Sequence, residues 1–269
     1  MAGQTHRPDS WKHLKRFTPA RIALGRAGDG LPTGPLLEFQ AAHAAARDAV
    51  WAALDAEKLA LVLKGELPGH PLVRVRSCAK DRGTYLKRPD LGRLLAPEDR
   101  LTLGEAGGKA GGEAGGEAKN DILFVLADGL SAKAVEAFAL ETLKAAFTAL
   151  KGLPLGPIVL AEQARVGLSD EIGAAMGAKL VVMLIGERPG LSAADSLGAY
   201  LTYAPRSGLQ NANRNCLSNI REEGLNPTLA GAKIGWLVRE ALRIGQTGIA
   251  LKDRSAEALG NRQEDLLGG

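Results

Sequence analysis

Three short apolar runs, almost free of polar residues, limit what this chain can fold into more than any other feature. They are Asp121 to Ala127, Pro157 to Ala161 and Lys179 to Ile185, the last being the most apolar. A half-exposed strand alternates polar and apolar residues, whereas a strand covered on both faces does not, so runs of this kind fit the inner strands of a parallel sheet. Between them lie helical patterns, from Ser131 to about Leu150 and across Asp170 to Met176. Strands and helices alternating at this spacing describe β-α-β connections with helices on the sheet faces. Pro227 to Ile244 adds a longer helix, with Leu229, Ile234, Leu237, Ala241 and Ile244 along one side. The expected fold class is α/β: a Rossmann-like parallel-sheet C-terminal domain over residues 121–269, preceded by a mainly helical N-terminal region over residues 1–103.

Upstream, Met1 to Lys12 reads as a loose leader, and a helix is expected from Pro35 to about Lys58. Pro35 suits a first helical position, and Leu36, Phe39, His43, Ala46, Val50 and Leu54 recur at helical spacing as its buried stripe. Pro71 to Arg76 is a short extended segment. It leads into a basic stretch carrying Arg74, Arg76, Lys80, Arg82, Lys87, Arg88 and Arg93. Residues 104–120 repeat the tetrads GEAG, GKAG, GEAG and GEAK, too rich in glycine for a packed core. They are expected to form a flexible loop whose ends lie on the order of 20–25 Å apart as a random coil.

Composition excludes several classes. A net charge of +4 with 4% aromatic residues is far from the basic, aromatic-studded surface of a nucleic-acid binder. Asp81, Asp90 and interleaved Pro and Leu in the basic stretch favour a charged interface with another protein chain instead. The two cysteines, Cys78 and Cys216, are far apart and form no CxxC pair, which fits a reducing cytoplasm. No run approaches the about 18 apolar residues a membrane span needs, and the polar start has no secretory segment. There is no GxxxxGK[ST] loop, the glycines at 25, 28 and 30 do not make GxGxxG, and no His or Cys cluster suggests a metal.

In an open α/β sheet, ligands sit beyond the carboxyl ends of the strands. Three loops end the expected strands: Asp128-Gly129, Glu162 to Gly167, and Gly186 to Gly190. Glu187-Arg188-Pro189-Gly190 combines a tight turn with two charges that could orient a ligand's amides, or form only a surface ion pair. Arg214 to Arg221 places hydrogen-bonding side chains around Cys216. None of His6, His13, His43 and His70 lies in the C-terminal half to act as its base, so a packing or ligand-lining thiol is favoured over a nucleophile. On residues alone the chain reads as a ligand-binding α/β protein without a catalytic constellation of its own.

Six separated segments then resemble one family. They are TPARIALGRAGDGLPT (Thr18 to Thr33), FQAAHAAARDAV (Phe39 to Val50), DRGTYLKRPDLGRLL (Asp81 to Leu95), ADGLSAKAV (Ala127 to Val135), IGERPGLSAADSLGAYLTY (Ile185 to Tyr203) and RNCLSNIREEGL (Arg214 to Leu225). In this order they resemble the small subunit, or light chain, of ethanolamine ammonia-lyase.

The resemblance implies a carbon–nitrogen lyase active only as a complex. A large TIM-barrel subunit would hold ethanolamine and the catalytic groups, none being expected on this chain. The pair would bind adenosylcobalamin at the subunit interface and convert ethanolamine to acetaldehyde and ammonia. By position in the matching motifs it also implies that Glu187 and Cys216 contact the cobalamin, and by its distance from Glu187 that Val166 does, making residues 121–269 the cobalamin-binding part. The absence of a D-x-H-x-x-G pattern fits the family's base-on binding. Some relatives carry a longer N-terminal extension associated with bacterial microcompartments; the short leader here argues against encapsulation and for a cytoplasmic location. Two alternatives remain: a noncatalytic scaffold subunit, and a stand-alone nucleotide-dependent Rossmann enzyme, which the missing phosphate loop and dinucleotide glycines oppose.

Overall fold

The computed structural model describes residues 9–18, 20–111, 121–258 and 260. The three apolar runs form strands β2 (Ile122–Ala127), β3 (Leu155–Glu162) and β4 (Leu180–Gly186). The extended segment near residue 72 forms β1 (Leu72–Arg76), and two further strands follow, β5 (Leu197–Tyr203) and β6 (Arg214–Ile220). All six join one sheet in the order β1-β3-β2-β4-β5-β6. The pairs β1/β3, β3/β2 and β2/β4 are parallel, and β4/β5 and β5/β6 are antiparallel.

Every residue of β2 and β4 is buried, because helices cover both faces of the sheet. Ile122, Phe124 and Leu126 point into one core, shared with α5 (Ala132–Ala149), α7 (Pro227–Ile244) and α2 (Ala56–Glu66). Leu123, Val125 and Ala127 point into the other, shared with α6 (Leu168–Ala175) and Leu103 of α4 (Pro97–Gly111). Each large aliphatic side chain so buried contributes about 1.5–3 kcal/mol. The first crossover, β2-α5-β3, thus lies on one face, and the second, β3-α6-β4, lies on the other and steps over β2. Strand order therefore reverses between β2 and β4. That divergence opens a crevice at the carboxyl ends of the strands.

Helices α5 and α7 approach closely through glycine. A Cβ on Gly231 would collide with Ala145 and the Thr142 carbonyl, and one on Gly235 with the Ala149 methyl. Alanine in place of helical glycine ordinarily gains about 1 kcal/mol, whereas overpacking costs about 1–3 kcal/mol. Gly231 meets a backbone oxygen that cannot turn aside, so overpacking wins there. Gly231→Ala is expected to lower stability by about 1 kcal/mol or more; a raised urea midpoint would contradict this.

Several expectations are corrected. The α/β class holds, but the sheet is mixed, not parallel throughout, because β5 and β6 turn back as antiparallel strands. The N-terminal region is mainly helical with an extended segment near residue 72, as expected, but that segment is not separate from the later part of the chain, since β1 is hydrogen-bonded to β3 in the same sheet. The helix expected from Pro35 to Lys58 is two helices, α1 (Thr33–Trp51) and α2. Asp55 caps α2 by accepting from the Lys58 amide at 2.9 Å, while Ala52 is extended. No Gly or Pro marks this break, so apolar spacing ran across it.

The expected buried stripe of α1 is largely uncovered: Leu36 and Phe39 are 39% and 38% exposed, and Ala49 is the buried residue of the helix. Residues 104–111, expected as flexible loop, continue α4 instead, with Pro97 opening the helix and Glu98 and Asp99 in its first turn. Residues 112–120 lie outside the described residues.

Candidate functional site

The crevice between β2 and β4 is floored by two glycines. Gly129 follows β2 with φ +54°, a left-handed conformation that glycine adopts freely. The place its Cβ would take is filled by the Gly186 carbonyl oxygen. A Cβ on Gly186 would in turn strike the Ser131 and Asp128 carbonyl oxygens. The Leu130 amide donates to the Gly186 carbonyl at 2.9 Å and closes the contact. Above this floor lies a cavity of about 380 Å³ whose walls include Tyr85, Leu130, Arg165, Val166, Glu187 and Tyr200.

Two of the three residues singled out by the resemblance, Val166 and Glu187, therefore share one cavity. Val166 arrives on the loop after β3, and Glu187 immediately follows β4. Cys216 stands beside rather than inside it. It is exposed on β6, directly across the ladder from Tyr200, which lines the wall. Burial, followed by the neighbouring Cys216, pushes the Tyr200 hydroxyl well above its ordinary value, so it stays a neutral donor. The Cys216 thiol lies 3.3 Å from the Ser218 hydroxyl.

Glu187 is held rather than loose. The Ser196 hydroxyl donates to its Oε2 at 2.7 Å and the Asn219 amide donates to the same oxygen at 3.1 Å. Both ties fall on Oε2, leaving Oε1 able to accept from a ligand. Gly198 gives the side chain its room, since a Cβ there would sit 3.0 Å from Oε1.

Residues that sequence reasoning missed hold the cavity from beneath. Asp128, 1% exposed, accepts from the amides of Gly129 at 2.8 Å, Gln163 at 2.9 Å and Ala164 at 3.0 Å, and from Arg82 Nη1 at 3.2 Å. One carboxylate thus fastens the loops after β2 and β3 together. Burial pushes its carboxyl up to about 6, against the pull of these amides and Arg82.

Arg82, on α3 (Arg82–Lys87), also donates to the Val50 carbonyl at 2.7 Å and the Gly129 carbonyl at 2.9 Å. Tyr85 lies between Arg82 and Arg165, whose guanidinium carbons are 4.8 and 4.3 Å from its ring centre. Its hydroxyl donates to the Ala164 carbonyl at 2.9 Å. Within the basic stretch, then, Arg82 is an internal residue and not an interface charge. Arg74, Arg76 and Arg88 also pair within the chain, with Glu57 and Glu162, Glu98, and Asp90 respectively. The sequence marks Asp128-Gly129 as a strand-end loop, but not that its carboxylate ties the loop after β3 to it.

Among the described residues no group of His, Cys, Asp and Glu could hold a metal ion, and no helix is long and apolar enough to cross a membrane. The site has a hydrogen-bonding carboxylate, an apolar wall and arginines, but no nucleophile paired with a base.

Comparison with known proteins identifies the family. The family model described as ethanolamine ammonia-lyase light chain (EutC) matches residues 8–252. The ethanolamine ammonia-lyase small subunit of Rhodopseudomonas palustris (strain BisA53) is 50% identical over 250 residues, covering 91% of each chain. That of Azotobacter vinelandii is 50% identical over 254 residues, or 92% of this chain and 90% of the relative. The small subunit of Pseudomonas fluorescens (strain SBW25) is 46% identical over 266 residues, or 97% and 93%. With a matched span reaching from residue 8 to residue 252, this chain belongs to the ethanolamine ammonia-lyase light chain family.

Proposed function

We propose that the chain is the cofactor-holding subunit of an ethanolamine ammonia-lyase, active with a large subunit that binds ethanolamine. In this reading residues 121–269 form the Rossmann-like part that takes adenosylcobalamin at the subunit interface, and the complex releases acetaldehyde and ammonia. The observation that carries it is the shared cavity: Val166 and Glu187, from two different loops, meet at the crevice where strand order reverses.

The residues fit the cofactor's chemistry. A corrin offers an apolar macrocycle rimmed with amides. Val166, Leu130 and Ile185 present apolar surface to the first, and Glu187 Oε1 an acceptor to the second. Cys216 and Tyr200 form the adjoining wall on β6 and β5. Among the described residues Arg165 Nε is buried without a partner, a donor left over at the cavity wall. A cavity of about 380 Å³ is too small to enclose a corrinoid, so this edge supplies one side and a second chain the other.

Adenosylcobalamin, when bound, supplies a carbon radical by homolysis of its cobalt–carbon bond. This chain's own residues contribute position. Glu187 orients amides, Val166 packs on an apolar face, and the Asp128–Arg82 pair keeps both loops in register. Substrate chemistry falls to the large subunit, in keeping with a site that has no base–nucleophile pair.

The test is reconstitution of the two subunits, measuring cobalamin binding and ethanolamine deamination. Glu187→Ala removes a charged acceptor worth about 1.5–3 kcal/mol, so cobalamin affinity is expected to fall by about tenfold to a hundredfold. Cys216→Ala should cost less, since the thiol is a weaker partner. If both variants bind cobalamin as the wild-type complex does, the chain is a scaffold that leaves the cofactor to its partner. Activity of this chain alone with a nicotinamide nucleotide would instead support an independent enzyme.

A further inference from the structure

A second hollow opens from the same rim. It measures about 520 Å³ and shares Leu130, Arg165 and Arg188 with the cavity of Val166 and Glu187. Its lining also includes His43 and Arg47 of α1 and Pro189 of the loop after β4. Three arginines line it and no aspartate or glutamate does. Among the described residues none of the three has a carboxylate partner, although Arg74, Arg82, Arg88, Arg214 and Arg243 all do. Guanidinium groups gathered around one space repel each other, and an anion placed among them removes that cost.

Arg165 is the fixed member of the set. Its guanidinium lies over the Tyr85 ring, and Nη2 donates to the Tyr85 carbonyl at 3.4 Å. Its stem packs against Gly92, where a Cβ would come within 2.9 Å of Arg165 Cγ. The group is held in place before any ligand arrives, yet among the described residues Nε is buried with no acceptor. A rigid planar fork with a spare donor suits a tetrahedral oxyanion, whose several oxygens can serve more than one arginine.

We infer that the hollow lined by Arg47, Arg165 and Arg188 is a phosphate site, taking the phosphodiester of the ligand seated in the adjoining cavity. The second half of this inference rests on the cobalamin reading, because a complete cobalamin carries one phosphodiester in its nucleotide loop. The phosphate chemistry itself rests on the arginines, and free inorganic phosphate is the other possible source.

The experiment uses the reconstituted two-subunit complex and three probes: cyanocobalamin, dicyanocobinamide, which lacks the nucleotide loop and its phosphate, and inorganic phosphate. Arg47→Gln and Arg165→Gln are each expected to weaken cyanocobalamin binding about tenfold or more, and Arg47→Gln, which lies outside the cavity of Val166 and Glu187, should leave dicyanocobinamide binding within about twofold. Arg165→Lys should restore part of the loss, since charge returns without the fork. If both corrinoids bind unchanged but inorganic phosphate binding is lost, the hollow remains a phosphate site and its source is the free ion. Equal losses for both corrinoids, or no change with any probe, overturn the inference. Should the wild-type complex take up neither corrinoid, the cofactor reading fails, and the inorganic phosphate titration still decides the site. Arg47 is exposed on α1, so its variant remains informative if Arg165→Gln perturbs assembly.

Discussion

Asp128→Ala is expected to destabilise the folded chain by about 3–5 kcal/mol, the range for removing one partner of a buried ion pair. Arg82, 9% exposed, would keep its charge without a carboxylate, and three backbone amides would lose their acceptor. The loss should appear as a lower urea midpoint with an unchanged slope. Asp128→Asn should cost less, because its carbonyl oxygen can still accept from part of that set.

The pair also has a pH signature. The Asp128 carboxyl has an ordinary value of 3.8 and is raised to about 6 in the folded chain. Between those values the folded state keeps a proton that the unfolded state releases, so protonation favours folding. This contribution is fully present below about pH 4 and is lost as pH rises through about 6. The side-chain amide introduced by Asp128→Asn cannot titrate. The stability advantage of wild type over Asp128→Asn should therefore shrink as pH climbs from about 4 to about 7, by roughly 3 kcal/mol. Comparing the two proteins at each pH cancels the other titrating groups. An advantage that instead grows with pH would refute this account of Asp128.

Gly186→Ala is the second large effect. The added methyl has no free space, because the carbonyl oxygens of Ser131 and Asp128 both occupy its position. Backbone oxygens cannot rotate away as a side-chain tip can, so the strand end must separate from the loop after β2. A cost of about 3 kcal/mol or more is expected, at the upper end of overpacking penalties. The floor of the crevice would widen with it. Cobalamin binding by the complex should then weaken together with stability, whereas Glu187→Ala should weaken binding with stability little changed. Equal melting temperatures for Gly186→Ala and wild type would show that the two glycines are not in the contact described.

The inner strands were legible because burial on both faces leaves an unmistakable run of apolar residues, and β2, β3 and β4 lie where those runs do. Helices α5, α6 and α7 were legible for the same reason in a different period. Strands β5 and β6 were not, since β6 lies at the sheet edge with exposed residues at Cys216, Ser218 and Asn219, and its polar sequence reads as loop. The break between α1 and α2 was hidden because a capping aspartate ends no apolar pattern.

At the site, Glu187 could be placed by its loop and Val166 by its distance from it, but the carboxylate and arginine beneath them could not. Asp128 and Arg82 are far apart in sequence, and a charge at one position carries no mark of the charge that will neutralise it. Their pairing depends on α3 folding back under the strand ends, a long-range event that local pattern does not encode. The same holds for Arg165, whose stacking on Tyr85 requires α3 to be in place.

The position of β1 has a consequence for how the molecule is assembled. This strand leaves the ribosome well before β3, its only neighbour in the sheet among the described residues, so it must wait unpaired while α3, α4, β2 and α5 are made. Until β3 arrives, neither side of the nascent sheet has a permanent boundary. Cutting the chain between residues 112 and 120 would likewise not yield a free-standing C-terminal half, but one with the backbone of β3 open to any strand that passes. Co-expressed halves should find one another and reconstitute the sheet, whereas the later half alone should gather into insoluble material.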